Sequence, residues 1–181
     1  IEENEIHDPY MPSSYFVFEG NDKNGIRYNP YNELLKKNFT LIFSFKINEI
    51  INTGKYPLIT FINYEKNNEI LFNISIEKNR LKLYCQGYSY FEEIVEISAN
   101  KCYLVIVEYK YQSIKREKIK IFINEKKYEI VSSNINNKAK CTIEIGYLPK
   151  KIIDNNKKLF QNVKLYKGII GPIIQFSTIF D

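Results

Sequence analysis

Chemistry in this chain could come from four kinds of side chain: carboxylate pairs, one histidine, three cysteines and clusters of tyrosine. Glycosidic hydrolysis needs two carboxylates about 5–10 Å apart across the scissile bond. Glu125 and Glu129 are four residues apart, and Glu92, Glu93 and Glu96 form a second set. Glu125 falls in a predicted turn among lysines, no E-x-D-x-x-E pattern occurs, and a solvated strand face accounts better for both sets. The sole histidine, His7, lies beside Asp8 near the start of the chain, and no Ser or Cys stands in a nucleophile elbow. Calcium asks for about six to eight converging oxygens. The aspartates Asp8, Asp22, Asp154 and Asp181 are far apart, and Asp22 with Asn24 in the 19–25 loop reads as turn chemistry. No catalytic residue, metal or cofactor is assigned.

Aromatic clusters remain. Gln86, Tyr88, Tyr90 and Phe91 follow an apolar run, and Tyr28 and Tyr31 form a second group. Exposed rings beside amides can stack a sugar ring or anchor a protein partner. These six residues are the expected binding positions, and losing Tyr88 and Tyr90 is expected to weaken capture of a partner without unfolding the chain. Cys85, Cys102 and Cys141 are odd in number, show no CxxC spacing and sit among apolar residues. They read as buried free thiols in a reducing compartment. Asn38-Phe-Thr and Asn73-Ile-Ser match the glycosylation pattern, which arises by chance in so Asn-rich a chain.

The elements that must hold these residues are strands. Apolar residues make up 44% of the 181, enough for one core without disulfides. Phe39, Leu41, Phe43, Phe45 and Ile47 alternate with Thr40, Ile42, Ser44 and Lys46. That period of two marks a strand with one apolar face. Similar runs are expected at 15–18, 58–64, 70–77, 80–86, 94–97, 102–109, 118–123, 128–131, 142–146, 161–166 and 173–176. Residues 102–109 are apolar on both faces and should be central. Such a series of short strands predicts an all-β, two-sheet antiparallel sandwich.

Gly168 is expected to turn between the last two strands. Asn124-Glu125 is expected to open into a longer loop, because Glu resists positive φ. A short helix is expected at 30–37, and mobile surface turns at 132–140 and 149–159. Residues 1–13, with Pro9 and Pro12, form an N-terminal arm before a domain spanning 14–181. The net charge of +5 comes from scattered lysines with three arginines, so no nucleic-acid partner is assigned. No apolar run approaches the ~18 residues of a membrane span. The chain begins at Ile1 in a polar stretch, which suggests a piece of a longer protein.

Several stretches occur in a familiar order. They are "S-Y-F-x-F-x-G-x-x-x-x-G-I" (14–26), "F-T-L-x-F-S-F-K-I" (39–47), "P-L-I-T-F" (57–61), "K-I-K-I-F-I-N" (118–124), "I-E-I-G" (143–146) and "Y-K-G-I-I-G-P-I-I-Q-F" (166–176). The chain thereby resembles the concanavalin A-like (laminin G-like) jelly-roll superfamily. Its opening and closing motifs are most similar to the lectin-like domain of BEACH proteins, the neurobeachin and yeast beige-homologue group. The resemblance departs at Cys102-Tyr103, where many relatives carry Trp, and at Asn124-Glu125, where many carry Asn-Gly. It implies a non-catalytic scaffold module of a large cytoplasmic protein in vesicle trafficking and protein sorting. That module would contact a protein partner or neighbouring domains, with oligosaccharide recognition retained, and would meet membranes only through its parent. The alternative is an extracellular carbohydrate-binding domain of laminin G or toxin type.

Overall fold

The computed structural model describes residues 8–21, 25–28, 39–86, 92–109, 117–132 and 141–176. In chain order its strands are β1 (Phe16–Glu19), β2 (Ile26–Tyr28), β3 (Phe39–Ile47), β4 (Lys55–Asn63), β5 (Glu69–Glu77), β6 (Arg80–Cys85), β7 (Glu92–Glu96), β8 (Tyr103–Tyr109), β9 (Glu117–Ile123), β10 (Lys126–Ser132), β11 (Thr142–Ile145), β12 (Lys167–Ile170) and β13 (Ile174–Phe176). One helix is described, α1 (Lys150–Asn155). The strands form two antiparallel sheets. Sheet A has the order β1-β12-β3-β8-β9-β10, and sheet B the order β2-β11-β4-β5-β6-β7. β12 pairs with Phe45–Ile47 and β13 with Thr40–Ile42, so the two segments share one edge of β3 in succession. This is a concanavalin A-like jelly-roll sandwich, and β8 lies inside sheet A between β3 and β9.

The alternation of β3 explains the core. Phe39, Leu41, Phe43, Phe45 and Ile47 face Phe61, Phe72, Ile74 and Ile76 of sheet B in one buried cluster. Phe39 stacks on Tyr109 with centroids 5.0 Å apart, and Phe45 on Tyr103 at 5.3 Å. Such ring pairs add about 0.5–1.5 kcal/mol beyond their buried area. All three cysteines are buried and none is in a disulfide.

Four local expectations need correction. Asn124 and Glu125 both take positive φ (48° and 72°), and Ile123 pairs directly with Lys126, so the β9–β10 connection is a two-residue turn. The strain at Glu125 is offset because the Asn124 side chain accepts a hydrogen bond from the Leu104 amide at 2.8 Å, pinning the turn to β8. Gly168 lies within β12 instead of turning the chain, and its missing side chain leaves room for the Lys46 carbonyl. Residues 161–166 form only a parallel bridge, Lys55 to Val163. The polar 149–159 stretch carries α1, with Ile152 and Phe160 buried, because its few apolar residues find a second cluster to join. The three-residue strand β2 is an addition to the expected elements, and the helix expected at 30–37 lies outside the described residues.

Candidate functional site

The outer face of sheet B concentrates the polar chemistry. In β11, Ile143 and Ile145 enter the core, which turns Glu144 to the opposite face between Arg27 of β2 and Thr60 of β4. One carboxylate oxygen of Glu144 accepts from Arg27 Nε at 2.6 Å and from the Tyr64 hydroxyl at 2.7 Å. Arg27 also donates to the Tyr64 oxygen at 3.3 Å and lies 5.3 Å from that ring's centroid. The carboxylate is buried (3% exposed) whereas the guanidinium side chain is 54% exposed. Burial, and then the hydrogen bond to Glu144, push the Tyr64 hydroxyl up to about 12. It therefore stays protonated at neutral pH and cannot act as a base there. Glu144→Ala is expected to lower stability by about 1–3 kcal/mol, because Arg27 and Tyr64 lose their shared acceptor. Thermal denaturation checks this, and an unchanged midpoint would show the cluster to be ornamental.

Beside this cluster a strap crosses the same face. α1 and the chain after it lay Ile152 and Phe160 over Ile62, Ile70 and Tyr84. Lys55 latches the strap. Its ammonium donates to the Leu159 carbonyl at 2.6 Å, lies 3.4 Å from Glu77 Oε2 and sits 5.4 Å from the Phe160 ring centroid. Its main chain accepts from Lys164 N at 2.8 Å and donates to Asn162 O at 2.9 Å. Burial lowers the Lys55 ammonium to about 8 despite the Glu77 carboxylate. Glu77 is pulled up by its own burial, but Lys55 and Lys82 outweigh that and hold it below the usual carboxylate range.

Between the strap and the β11–α1 loop opens a cleft of about 220 Å³. Pro57, Leu148, Ile153, Val163 and Leu165 give it apolar walls, with Tyr147, Lys150 and Lys164 among its polar residues. Two glycines let its parts approach so closely. A Cβ at Gly25 would meet the Tyr147 ring at 2.8 Å, and one at Gly54 would meet the Lys164 stem at 2.6 Å.

Of the six expected binding positions, the structure describes Gln86 and Tyr28. Tyr88, Tyr90, Phe91 and Tyr31 lie outside the described residues. Gln86 is spent on the fold, its side chain donating to Glu69 Oε1 at 2.5 Å and its amide to Leu71 O. Tyr28, 52% exposed, ends β2 opposite Ile143. Glu93 pairs with Arg80 and Lys82, and Glu129 with Lys127. Among the described residues no group of three or more His, Cys, Asp or Glu could hold a metal ion. Asn73 is fully buried and its amide donates to Thr60 Oγ1 at 2.8 Å, so this glycosylation match has no room for a glycan. A charged residue inside the apolar run Ile143-Glu144-Ile145 was the overlooked signal, since a carboxylate there demands a partner.

No protein-family model matches the chain, and no curated protein matches it. Solved structures do. An endo-beta-1,4-glucuronan lyase from the fungus Trichoderma reesei aligns with a TM-score of 0.61 at 15% identity, over 93% of this chain and 78% of that one. The Ruminococcus gnavus IT-sialidase CBM40 bound to alpha2,3 sialyllactose aligns with a TM-score of 0.61 at 10% identity, over 95% and 94%. The LG1-3 region of the laminin alpha2 chain aligns with a TM-score of 0.59 at 17% identity, over 91% and 31%. The chain spans only 26% of the Trypanosoma rangeli sialidase chain that it also matches. At these identities the likeness is one of fold: a concanavalin A-like, laminin G-like sandwich.

Proposed function

We propose that this domain is a non-catalytic binding module that takes an oligosaccharide in the cleft beside the strap. The observation that carries this reading is the cleft itself, which Tyr147 lines together with apolar walls and two lysines. At about 220 Å³ it is smaller than drug-sized pockets, which run roughly 300–1,000 Å³, and suits one ring of a longer chain. The neighbours named for carbohydrates support it, the CBM40 with sialyllactose above all. Glu93 and Glu129, each paired with a cation, support binding over hydrolysis. Tyr147→Ala is expected to weaken binding on a glycan array by about 10-fold or more while leaving the melting midpoint in place. Equal binding by the variant would remove the cleft from the reading, and turnover of any arrayed sugar would make the protein an enzyme.

A second reading is the intracellular scaffold: a BEACH-type parent, cytoplasmic and peripheral to membranes, using this domain for protein contacts. One surface favours it. On the outside of sheet A, Ile174, Ile42, Ile106 and Phe122 form a cross-strand row, with Ile174 46% exposed. The three buried cysteines, none in a disulfide, also suit a reducing compartment. Peptide mapping of the endogenous full-length chain separates the readings. Flanking peptides with a C-terminal BEACH region favour the scaffold, and a cleaved signal peptide with a glycan on Asn38 favours the extracellular module.

A further inference from the structure

Resting on the oligosaccharide reading, we infer that the cleft selects a sugar residue carrying a carboxylate or sulfate. Its nine described lining residues include two lysines and no acid. Lys150 stands at the start of α1 and Lys164 on the chain beyond it, and both line the cleft. Both are exposed, and neither forms an ion pair among the described residues. The nearby charges behave differently. Arg27 is bonded to Glu144, while Lys55 and Lys82 both reach Glu77, so each of those cations already faces a carboxylate.

The position of Lys164 is built. Its amide is bonded to Lys55 O, and its stem lies against Gly54, where any side chain would displace it. Tyr147 is likewise held against Gly25. A ring seated on Tyr147 would bring its substituent into a cleft whose described lining holds two lysines and no acid. Such a local excess of positive charge favours an anionic ligand over its neutral counterpart. The apolar walls lower the effective dielectric around that contact and strengthen it.

The test uses matched pairs that differ only in charge: β-1,4-linked oligoglucuronate against its carboxyl-reduced form, and a sulfated galactan oligosaccharide against its desulfated form. Titration calorimetry is run on the whole domain, on Lys150→Gln/Lys164→Gln, and on Tyr147→Ala. Two exposed ion pairs favour the charged member by roughly 2- to 30-fold. Raising the salt from about 0.1 M to about 1 M shortens the Debye length from about 10 Å to about 3 Å and should erode that ratio. The lysine double variant should abolish the preference, and Tyr147→Ala should weaken both members alike. Equal affinity within a pair, or a preference that survives in the double variant, overturns the inference while leaving the oligosaccharide reading intact. Binding of neither member of either pair overturns both.

Discussion

Gly168→Ala lowers the stability of this domain by about 4 kcal/mol, read as a fall in the urea midpoint without a change of slope. Gly168 sits inside β12 at φ 153°, a backbone conformation that side chains rarely allow. A Cβ there would lie 2.0 Å from the Lys46 carbonyl oxygen and 3.0 Å from Ile47 Cα. Both obstacles are backbone of β3, the strand at the centre of the core, so neither can swing aside. Backbone strain contributes about 1–3 kcal/mol and the forced separation of strands about the same again. The consequences spread, because β12 carries the pairing of both β1 and β3. Tyr166 just before it is buried, its hydroxyl 2.9 Å from Lys46 O and 3.0 Å from Ile169 O. Gly171→Ala is the control. Its Cβ would meet only the Pro12 and Ser44 side chains, at 3.1 Å and beyond, with φ outside the strained region. If Gly168→Ala lost less than about 1 kcal/mol, the close β12–β3 approach would not be a feature of the folded chain.

That glycine also shows where sequence reasoning reached and where it stopped. Alternation located β3 to the residue and placed β8 in the middle of its sheet, because a strand buried on one or both faces writes its burial directly into residue type. Gly168 was read as a turn because glycine punctuates local structure more often than it clears space for a neighbouring strand. The evidence for the second use lies at Lys46, some 120 residues away in sequence. The strap was misjudged for a related reason. Its apolar residues are few and spaced by Asn and Lys, so they look like loop until Ile62, Ile70 and Tyr84 are seen to offer them a surface. The cleft was the least legible part. Tyr147, Lys150 and Lys164 gain meaning only once the β11–α1 loop faces the strap, and no local pattern in the chain announces that meeting. Tyrosine clusters were visible in sequence, and most of their members lie outside the described residues.

Lys55→Met gains most over the natural chain near neutral pH and least near pH 10.5. Burial lowers the Lys55 ammonium from 10.5 to about 8 in the folded protein. The sign follows from proton binding. Below pH 8 both states hold the proton, and folding carries the whole penalty of burying a charge, on the order of 3 kcal/mol. Between about 8 and 10.5 the folded state releases its proton first, the unfolded state binds more, and the natural chain gains stability relative to the variant. Above 10.5 the penalty is gone. Other groups act in the same range with the opposite sign. Burial pushes Cys141 up to about 12, and Tyr64 is raised to the same value, so both weaken the fold in alkali. They are common to both proteins and cancel in the difference. Methionine cannot replace the bond to Leu159 O, but that loss is a constant offset without pH dependence. Glu77 keeps Lys82 at 3.1 Å in either protein. Urea denaturation of the pair from pH 7 to 10.5 should therefore give curves that converge by about 3 kcal/mol, and parallel curves would show that Lys55 is solvated in the folded state. The costly burial of this ammonium occurs where it clamps the strap at Leu159, Phe160 and Lys164, the same segment that forms one wall of the cleft. Its retention is then explained by the position of that wall, and sugar affinity should drop in Lys55→Met at every pH of the series.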